Sequence, residues 1–314
     1  MKKQTVAVVI PAVFLVFALI ACNSNSEKKE TEAIQPAAPE IKSIFINGDS
    51  LHYVDVGKGE TIILIHGTLG DYREWLPHLD TFSKNHRVIA YSRRYAYPNR
   101  QVINDSADYT VIPHAEDLAA FIQSLNAGPV HLVGHSYGAF TALLTTLKHP
   151  ELVKTVTLGE PPVAPLLLSV PGGDTIANKF FAVVKPASEA FKSGNDEKAV
   201  SIFAAWVIGD TNFYNSLPSE ARSAMLANTL ELRGSLLSNK PFPEVKCEDM
   251  KKIQTPVLLL KGEKTTSFFS TIVDEVDKCL ANKEKITLPG ATHGLQMENP
   301  GDFNKIVLAF IDKH

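Results

Sequence analysis

Short apolar runs alternate with stretches of helical periodicity from about residue 43 to the C-terminus. The apolar runs are rich in β-branched residues and predict eight strands: Ser43–Ile46, Leu51–Val56, Thr61–Ile65, Arg87–Ser92, Val130–Val133, Lys154–Leu158, Pro256–Lys261 and Lys285–Leu288. Strands that alternate with helices are typical of a mostly parallel sheet with helices on both faces. We therefore predict an α/β fold with an eight-stranded sheet.

Helical periodicity fills most of the intervals between these strands. It predicts helices over Tyr72–Lys84, Pro113–Asn126 and Ala139–Lys148, and a last helix from about Pro300 to Lys313. The alternation stops after the sixth strand, where residues 163–243 have helical character and many aromatic residues. We expect a core made of residues 41–162 and 244–314, with residues 163–243 inserted as a helical cap.

The N-terminus has the pattern of a secretory signal peptide. Lys2 and Lys3 precede an apolar run, Val6–Ile20, that is shorter than the roughly 20 residues of a spanning helix. The run ends in Leu-Ile-Ala-Cys22, which resembles the lipobox of bacterial lipoproteins. This resemblance implies removal of residues 1–21 and lipid attachment at Cys22, while a plain signal anchor is the alternative.

Residues 22–40 are polar and charged, and we interpret them as a flexible tether. Two acyl chains at Cys22 would anchor the protein stably to a bacterial membrane in the cell envelope. In a Gram-negative cell the outer membrane is favoured, because Asn23 replaces the Asp that commonly retains enterobacterial lipoproteins at the inner membrane.

Composition and charge exclude some partners. The chain has 314 residues, of which 45% are hydrophobic and 21% are charged, as in ordinary globular proteins. The net charge is -3, and loss of Lys2 and Lys3 with the signal peptide would change it to -5. With no large basic cluster, we expect no nucleic-acid partner.

Two cysteines, Cys247 and Cys279, remain if Cys22 carries lipid. In an oxidising compartment they can form a disulfide, but buried free thiols are equally compatible with the sequence.

The fifth predicted strand runs into Gly134-His135-Ser136-Tyr137-Gly138, a G-x-S-x-G motif followed by a helix. A sharp turn from strand to helix exposes the hydroxyl of the central serine, and flanking glycines prevent backbone clashes. Ser136 is therefore the candidate nucleophile.

Two further loops follow strands of the sheet. His66-Gly67-Thr68 comes after the third strand, with Trp75 downstream, and a second loop containing His293 and Gly294 comes after the last strand. Together with the serine motif, these loops resemble those of the α/β-hydrolase superfamily. The resemblance extends from about residue 42 to the C-terminus, apart from the cap.

The resemblance implies a role for each loop. The backbone amides of Thr68 and Tyr137 would form the oxyanion hole, and His293 would be the general base that activates the serine hydroxyl. His66 would support its loop and His135 would line the turn, neither of them acting in catalysis.

The acid of the triad departs from the usual pattern. The segment after the seventh strand has Thr265 where the family usually has Asp. Glu160 at the end of the sixth strand occupies the alternative position and preserves the order Ser, Glu, His. We expect Glu160 to be the acid, with Glu263 and Asp274 as alternatives.

The implied function is that of a serine hydrolase, an enzyme that needs no metal or organic cofactor. Ser136 argues against dehalogenases and epoxide hydrolases of this superfamily, which have Asp at that place. Trp75, Tyr137 and the aromatic residues at 180–214 predict a pocket for an apolar, small-molecule ester. Arg93 and Arg94 would either bind an anionic substrate group or form structural ion pairs.

Other functions remain open from the sequence. A noncatalytic lipoprotein could use the same scaffold to bind a ligand or partner, and the missing Asp supports that alternative. A cofactor-free haloperoxidase or an acyltransferase would use the same site with another acceptor in place of water.

Overall fold

One mixed sheet organises the part of the chain that the computed structural model describes, residues 39–99, 101–102, 104, 106–238 and 242–314. The predicted signal peptide, Cys22 and the tether as far as residue 38 lie outside these residues. Within them, no helix is both long enough and apolar enough to cross a membrane.

The sheet of the described residues has eight strands: β1 (Lys42–Ile46), β2 (Asp49–Gly57), β3 (Thr61–Ile65), β4 (Arg87–Tyr91), β5 (Val130–His135), β6 (Val153–Gly159), β7 (Val257–Gly262) and β8 (Lys283–Leu288). Their order is β1-β2-β4-β3-β5-β6-β7-β8. The pairs β1–β2 and β2–β4 are antiparallel, and all later neighbours are parallel. The predicted fold class, an eight-stranded and mostly parallel sheet, is confirmed.

Helices cover both faces of this sheet. The described helices are α1 (Leu76–Phe82), α2 (Val111–Ser124), α3 (Tyr137–Lys148), α4 (Gly173–Lys192), α5 (Asp196–Ile208), α6 (Phe213–Ser216), α7 (Ser219–Leu226), α8 (Thr229–Leu237), α9 (Cys247–Met250), α10 (Ser267–Cys279), α11 (Leu295–Glu298) and α12 (Pro300–Ile311). Successive strand residues face opposite sides, so Leu132 packs with Phe140 of α3 and Val133 packs in the cluster of Phe82 and Phe303.

Helices α4 to α8 lie between β6 and β7 and form a helical insertion. Their shared apolar core contains Phe191, Val200, Tyr214 and Leu232. This core also includes Leu69 from the loop after β3, so the insertion packs against the segment that carries Thr68.

A disulfide joins Cys247 of α9 to Cys279 at the end of α10, with the two Cα atoms 4.9 Å apart. The sequence separation is 32 residues, and the closed loop contains β7 and the segment that follows it. The bond therefore constrains the chain on either side of the loop with Thr265.

We expect replacement of both Cys247 and Cys279 by Ser to lower the free energy of unfolding by about 3–4 kcal/mol. Without the crosslink the unfolded chain gains conformational entropy, and for a loop of this length the gain stabilises the unfolded state by about that amount. Urea titration of the oxidised protein measures the change. Wild-type protein treated with a thiol reductant is the matched control and should unfold at the same urea concentration as the double variant. Equal stability of oxidised wild type and variant would contradict the prediction.

Candidate active site

Ser136 lies at the turn between β5 and α3, with φ 52° and ψ -120°. A positive φ strains a residue that has a side chain, and such strain is commonly found at functional sites. A Cβ atom at Gly138 would lie 2.2 Å from the Ile65 carbonyl oxygen, and one at Gly134 would lie 2.5 Å from the Gly138 oxygen. The two glycines therefore permit the turn that presents Ser136.

His293 lies in the loop between β8 and α11 and is 3% exposed. Its Nδ1 atom is 2.5 Å from Glu160 Oε2. Its Nε2 atom is buried and has no hydrogen-bond partner among the described residues. Ser136 and His293 line the same cavity. The imidazole is thus fixed at one nitrogen and available at the other.

Glu160 follows β6 and is fully buried. Besides His293, it accepts hydrogen bonds from the Gly262 amide at 2.7 Å and from Thr265 Oγ1 at 2.8 Å. Thr265 is the residue at the position where the family usually has Asp. The two positions are therefore adjacent in space, and the hydroxyl at one supports the carboxylate at the other.

The alternative acids lie elsewhere. Glu263 is exposed and accepts from the Gly290 amide at 2.7 Å. Asp274 pairs with Lys261 at 3.0 Å and with Lys285 at 2.8 Å. Of the three candidate acids, the structure brings Glu160 to His293.

Burial lowers the pKa of His293 below its ordinary value, and the hydrogen bond and charge of Glu160 offset this only in part. The Phe269 ring stacks on the imidazole, with the ring centres 3.6 Å apart and the planes 19° apart. Neither Phe269 nor Thr265 was singled out as a site residue from the sequence. Thr265 lies just before α10 and Phe269 lies in its first turn, and this position after β7 could have indicated that they are near the site.

His135 and Glu74 connect three loops around the turn. His135 Nε2 donates to the His293 carbonyl at 2.8 Å, and His135 Nδ1 lies 3.3 Å from Glu74 Oε1. Burial opposes protonation of His135, but the Glu74 carboxylate outweighs it and raises the pKa. Glu74 also accepts from the Gly67 amide and from Gln296 Nε2. This role of Glu74 could not be predicted from the sequence, because its partners come from three separate segments of the chain.

Thr68 and Tyr137, the candidate oxyanion-hole residues, both line the cavity that Ser136 lines. Tyr137 is the first residue of α3, where a helix leaves its amides without intrahelical partners. A Cβ atom at Gly67 would lie 3.2 Å from Ser136 Cβ, so the segment that leads into Thr68 passes directly beside the serine.

The cavity above Ser136 has a volume of about 480 Å³. Tyr137 lines it together with aromatic residues of the insertion, of the segment between α8 and α9, and of α10: Phe180, Phe203, Trp206, Phe213, Phe242, Phe268 and Phe269. The prediction that Trp75 lines the pocket is wrong. Trp75 is fully buried and packs beside α1 against His78 and Phe303, because its ring faces the core.

The two arginines after β4 form ion pairs within the protein. Arg93 is 1% exposed and pairs with Glu231 of α8. Arg94 bonds both oxygens of Asp117 at 2.6 Å. Of the two roles expected from the sequence, structural ion pairing therefore describes both arginines. Neither guanidinium lines the cavity.

Comparison with known proteins places these features in a family. Residues 60–300 match the family model described as alpha/beta hydrolase fold. The (E)-2-((N-methylformamido)methylene)succinate hydrolase of Acinetobacter baylyi is 30% identical over 117 residues, which cover 36% of this chain and 41% of that protein. The match therefore spans less than half of that relative.

Two further proteins match over most of the chain. Epoxide hydrolase 3 of Mus musculus is 23% identical over 300 residues, 88% of this chain and 77% of that protein. The crystal structure of the carboxylesterase CesB from Bacillus subtilis has a TM-score of 0.71 at 21% identity and covers 89% of this chain and 93% of its own. These proteins are hydrolases, so the expectation of an enzyme with this fold is confirmed.

The reaction of Ser136 with a fluorophosphonate should depend on the protonation of His293. Because the imidazole must be neutral to accept the serine proton, we expect reactivity above the pKa of His293 and its loss as the pH falls through that value. The midpoint should lie below the ordinary value of 6.5, since burial lowers this pKa. Labelling rates measured between pH 4 and pH 9 test this.

The Glu160→Gln variant is the control for the direction of the shift. In the wild type the Glu160 carboxylate raises the pKa of His293. Loss of this carboxylate should therefore slow labelling and move the midpoint to lower pH. A midpoint at or above 6.5 in the wild type would contradict the description of the site.

Proposed function

The chain belongs to the α/β-hydrolase fold family, and from that membership we propose that it is a serine hydrolase that cleaves an ester or a related carbonyl substrate through an acyl-enzyme on Ser136. The observation that carries the proposal is the state of His293. Its Nδ1 is bonded to Glu160, and its buried Nε2 is unpartnered among the described residues beside a cavity that Ser136 also lines.

The proposed reaction has two halves. Ser136 Oγ attacks the carbonyl carbon while His293 Nε2 takes the hydroxyl proton, and the amides of Thr68 and Tyr137 bind the resulting oxyanion. His293 then gives the proton to the leaving alcohol as the carbon–oxygen bond breaks. A water molecule activated by His293 hydrolyses the acyl-enzyme in the same way, and Glu160 stabilises the imidazolium in both halves.

The nucleophile supports acyl transfer over the epoxide opening named for the mouse relative. A carboxylate nucleophile forms an alkyl ester when it opens an epoxide, and water can then cleave that ester. A serine hydroxyl attacking the same carbon would leave a stable ether. Ser136, with a histidine beside it, is suited to a carbonyl substrate.

The cavity supports an apolar substrate. Its walls are mainly aromatic and aliphatic, and the insertion supplies Phe180, Phe203 and Trp206 to them. We propose that the helical insertion acts as a cap that excludes water from the acyl or alcohol group. The substrate class is then a small ester with a hydrophobic group that fills this space.

Turnover of p-nitrophenyl acyl esters tests the proposal. We expect Ser136→Ala to lower kcat by roughly 10⁶-fold and Glu160→Gln to lower it by roughly 10⁴-fold, as for other triads. Intact mass measured during the first turnover should show the acyl group on the wild type and not on Ser136→Ala. A folded wild type that neither turns over esters nor reacts with fluorophosphonates would contradict the proposal and favour a noncatalytic binding protein.

A relocated carboxylate is the matched control for the acid. Thr265 Oγ1 lies 2.8 Å from Glu160 Oε2, so Thr265→Asp in the Glu160→Gln background should place a carboxylate near His293 and recover part of the lost kcat. Thr265→Asp alone should lower activity, because two adjacent carboxylates raise the pKa of one of them. A double variant that folds but is no more active than Glu160→Gln would contradict the role of Glu160.

We also propose lipid attachment at Cys22 and a location in the cell envelope, for the reasons given by the N-terminal sequence. Growth of a bacterial expression host on labelled palmitate should label the wild type and not Cys22→Ser. The neighbouring change Ser26→Ala should leave the label in place. Label retained by Cys22→Ser would contradict lipidation at that residue.

A further inference from the structure

A buried guanidinium lies behind the loop that carries Thr68. Arg93 is the second residue after β4. Its Nη2 atom donates to the Gly67 carbonyl at 3.1 Å, and its Nε atom donates to the His66 carbonyl at 3.2 Å. Its own backbone amide donates to His66 Nε2 at 2.9 Å. Arg93 is therefore bound to the proposed oxyanion loop at three points.

The Gly67 carbonyl oxygen has three donors within hydrogen-bond distance. It accepts from Arg93 Nη2, from His66 Nδ1 at 2.8 Å and from the Gly70 amide at 3.3 Å. Burial, followed by the charge of Arg93, lowers the pKa of His66 to about 4. His66 is then neutral, with its proton on Nδ1 because Nε2 is an acceptor.

The Gly67 carbonyl and the Thr68 amide belong to one peptide group. A trans peptide is planar, so its carbonyl and its N–H point in opposite directions. Donors that fix the Gly67 oxygen on one side also fix the direction of the Thr68 N–H on the other. A cationic donor on the oxygen further polarises the N–H as a hydrogen-bond donor.

The other side of Arg93 is held by the helical insertion. Glu231 of α8 accepts from both terminal nitrogens of Arg93, with Nη2 to Oε2 at 2.8 Å, and its Oε1 lies 2.8 Å from His114 Nε2. Burial disfavours the charged guanidinium, but Glu231 outweighs it and raises the pKa of Arg93. The side chain is thus a cation at a fixed position, held between the insertion and the loop.

We propose that Arg93 is a positioning residue that orients and polarises the Gly67–Thr68 peptide as an oxyanion donor, and that Glu231 makes this arrangement depend on the docked helical insertion. Arg93 acts through the peptide, since its side chain does not line the cavity. The inference rests on the proposed serine hydrolase function, because it concerns the charge that develops during acyl transfer.

The test compares variants in which the charged group that donates to the Gly67 carbonyl is removed or replaced. Arg93→Gln removes the charge, and Arg93→Gln with Glu231→Gln also avoids leaving a buried carboxylate unpaired. Arg93→Lys keeps a charge without the planar fork. Arg94→Gln is the matched control, since Arg94 also loses a bidentate carboxylate pair but makes no bond to residues 66–68.

Two readouts report on the oxyanion. One is kcat and KM for a p-nitrophenyl ester. The other is the pKa of the hemiketal that a trifluoromethyl ketone, labelled with ¹³C at its carbonyl, forms with Ser136, followed by NMR across pH. Thermal unfolding of each variant accompanies both.

We expect kcat of the double variant to fall by between about 10-fold and about 100-fold, with little change in KM. This decrease is at most as large as the decrease that follows removal of a whole oxyanion donor. The hemiketal pKa of the double variant should rise by about one unit for each tenfold loss. Arg93→Lys should show a smaller effect in the same direction, and Arg94→Gln should show none.

A folded Arg93 variant with unchanged kcat and an unchanged hemiketal pKa would overturn the inference. So would a loss confined to KM, which would indicate a role in substrate binding. If Arg93→Gln does not fold, Arg93→Lys and the double variant carry the test. Failure of the wild type to form any hemiketal would instead overturn the proposed serine hydrolase function.

Discussion

The rest of the site depends on how closely α3 approaches the end of β3. The Gly138 position meets the Ile65 carbonyl so closely that a Cβ atom there would lie 2.2 Å away. This contact places the first turn of the helix beside the loop after β3 and forces Ser136 into a strained conformation. Because neighbouring parallel strands end at the same edge, the loops carrying Thr68, Glu160 and His293 converge there.

Burial then determines what the converged groups can do. Glu160 is fully buried, and three donors satisfy it: His293, Thr265 and the Gly262 amide. His293 Nε2 is likewise buried and has no hydrogen-bond partner among the described residues. A buried polar site thus lies beside a mainly apolar cavity, and protein groups supply the hydrogen bonds of its carboxylate.

Local patterns predicted the fold and most of the candidate site. Thr61–Ile65 was predicted with its observed bounds, because a run of buried β-branched residues has few other interpretations. Contacts between distant residues could not be predicted in this way. Glu231 lies 138 residues from Arg93, and nothing in helical periodicity indicates their pairing. Likewise, Trp75 was assigned to the pocket from its place in a motif, although its ring faces the core, and the pairing of Cys247 with Cys279 needed three-dimensional proximity.

A crystal structure of the protein modified by an alkyl fluorophosphonate tests most directly whether Ser136, His293 and Glu160 form one acyl-transfer site. We expect phosphorus bonded to Ser136 Oγ, its phosphoryl oxygen within hydrogen-bond distance of the Thr68 and Tyr137 amides, and His293 Nδ1 still bonded to Glu160. A phosphonate on another residue, or a phosphoryl oxygen facing away from both amides, would contradict it.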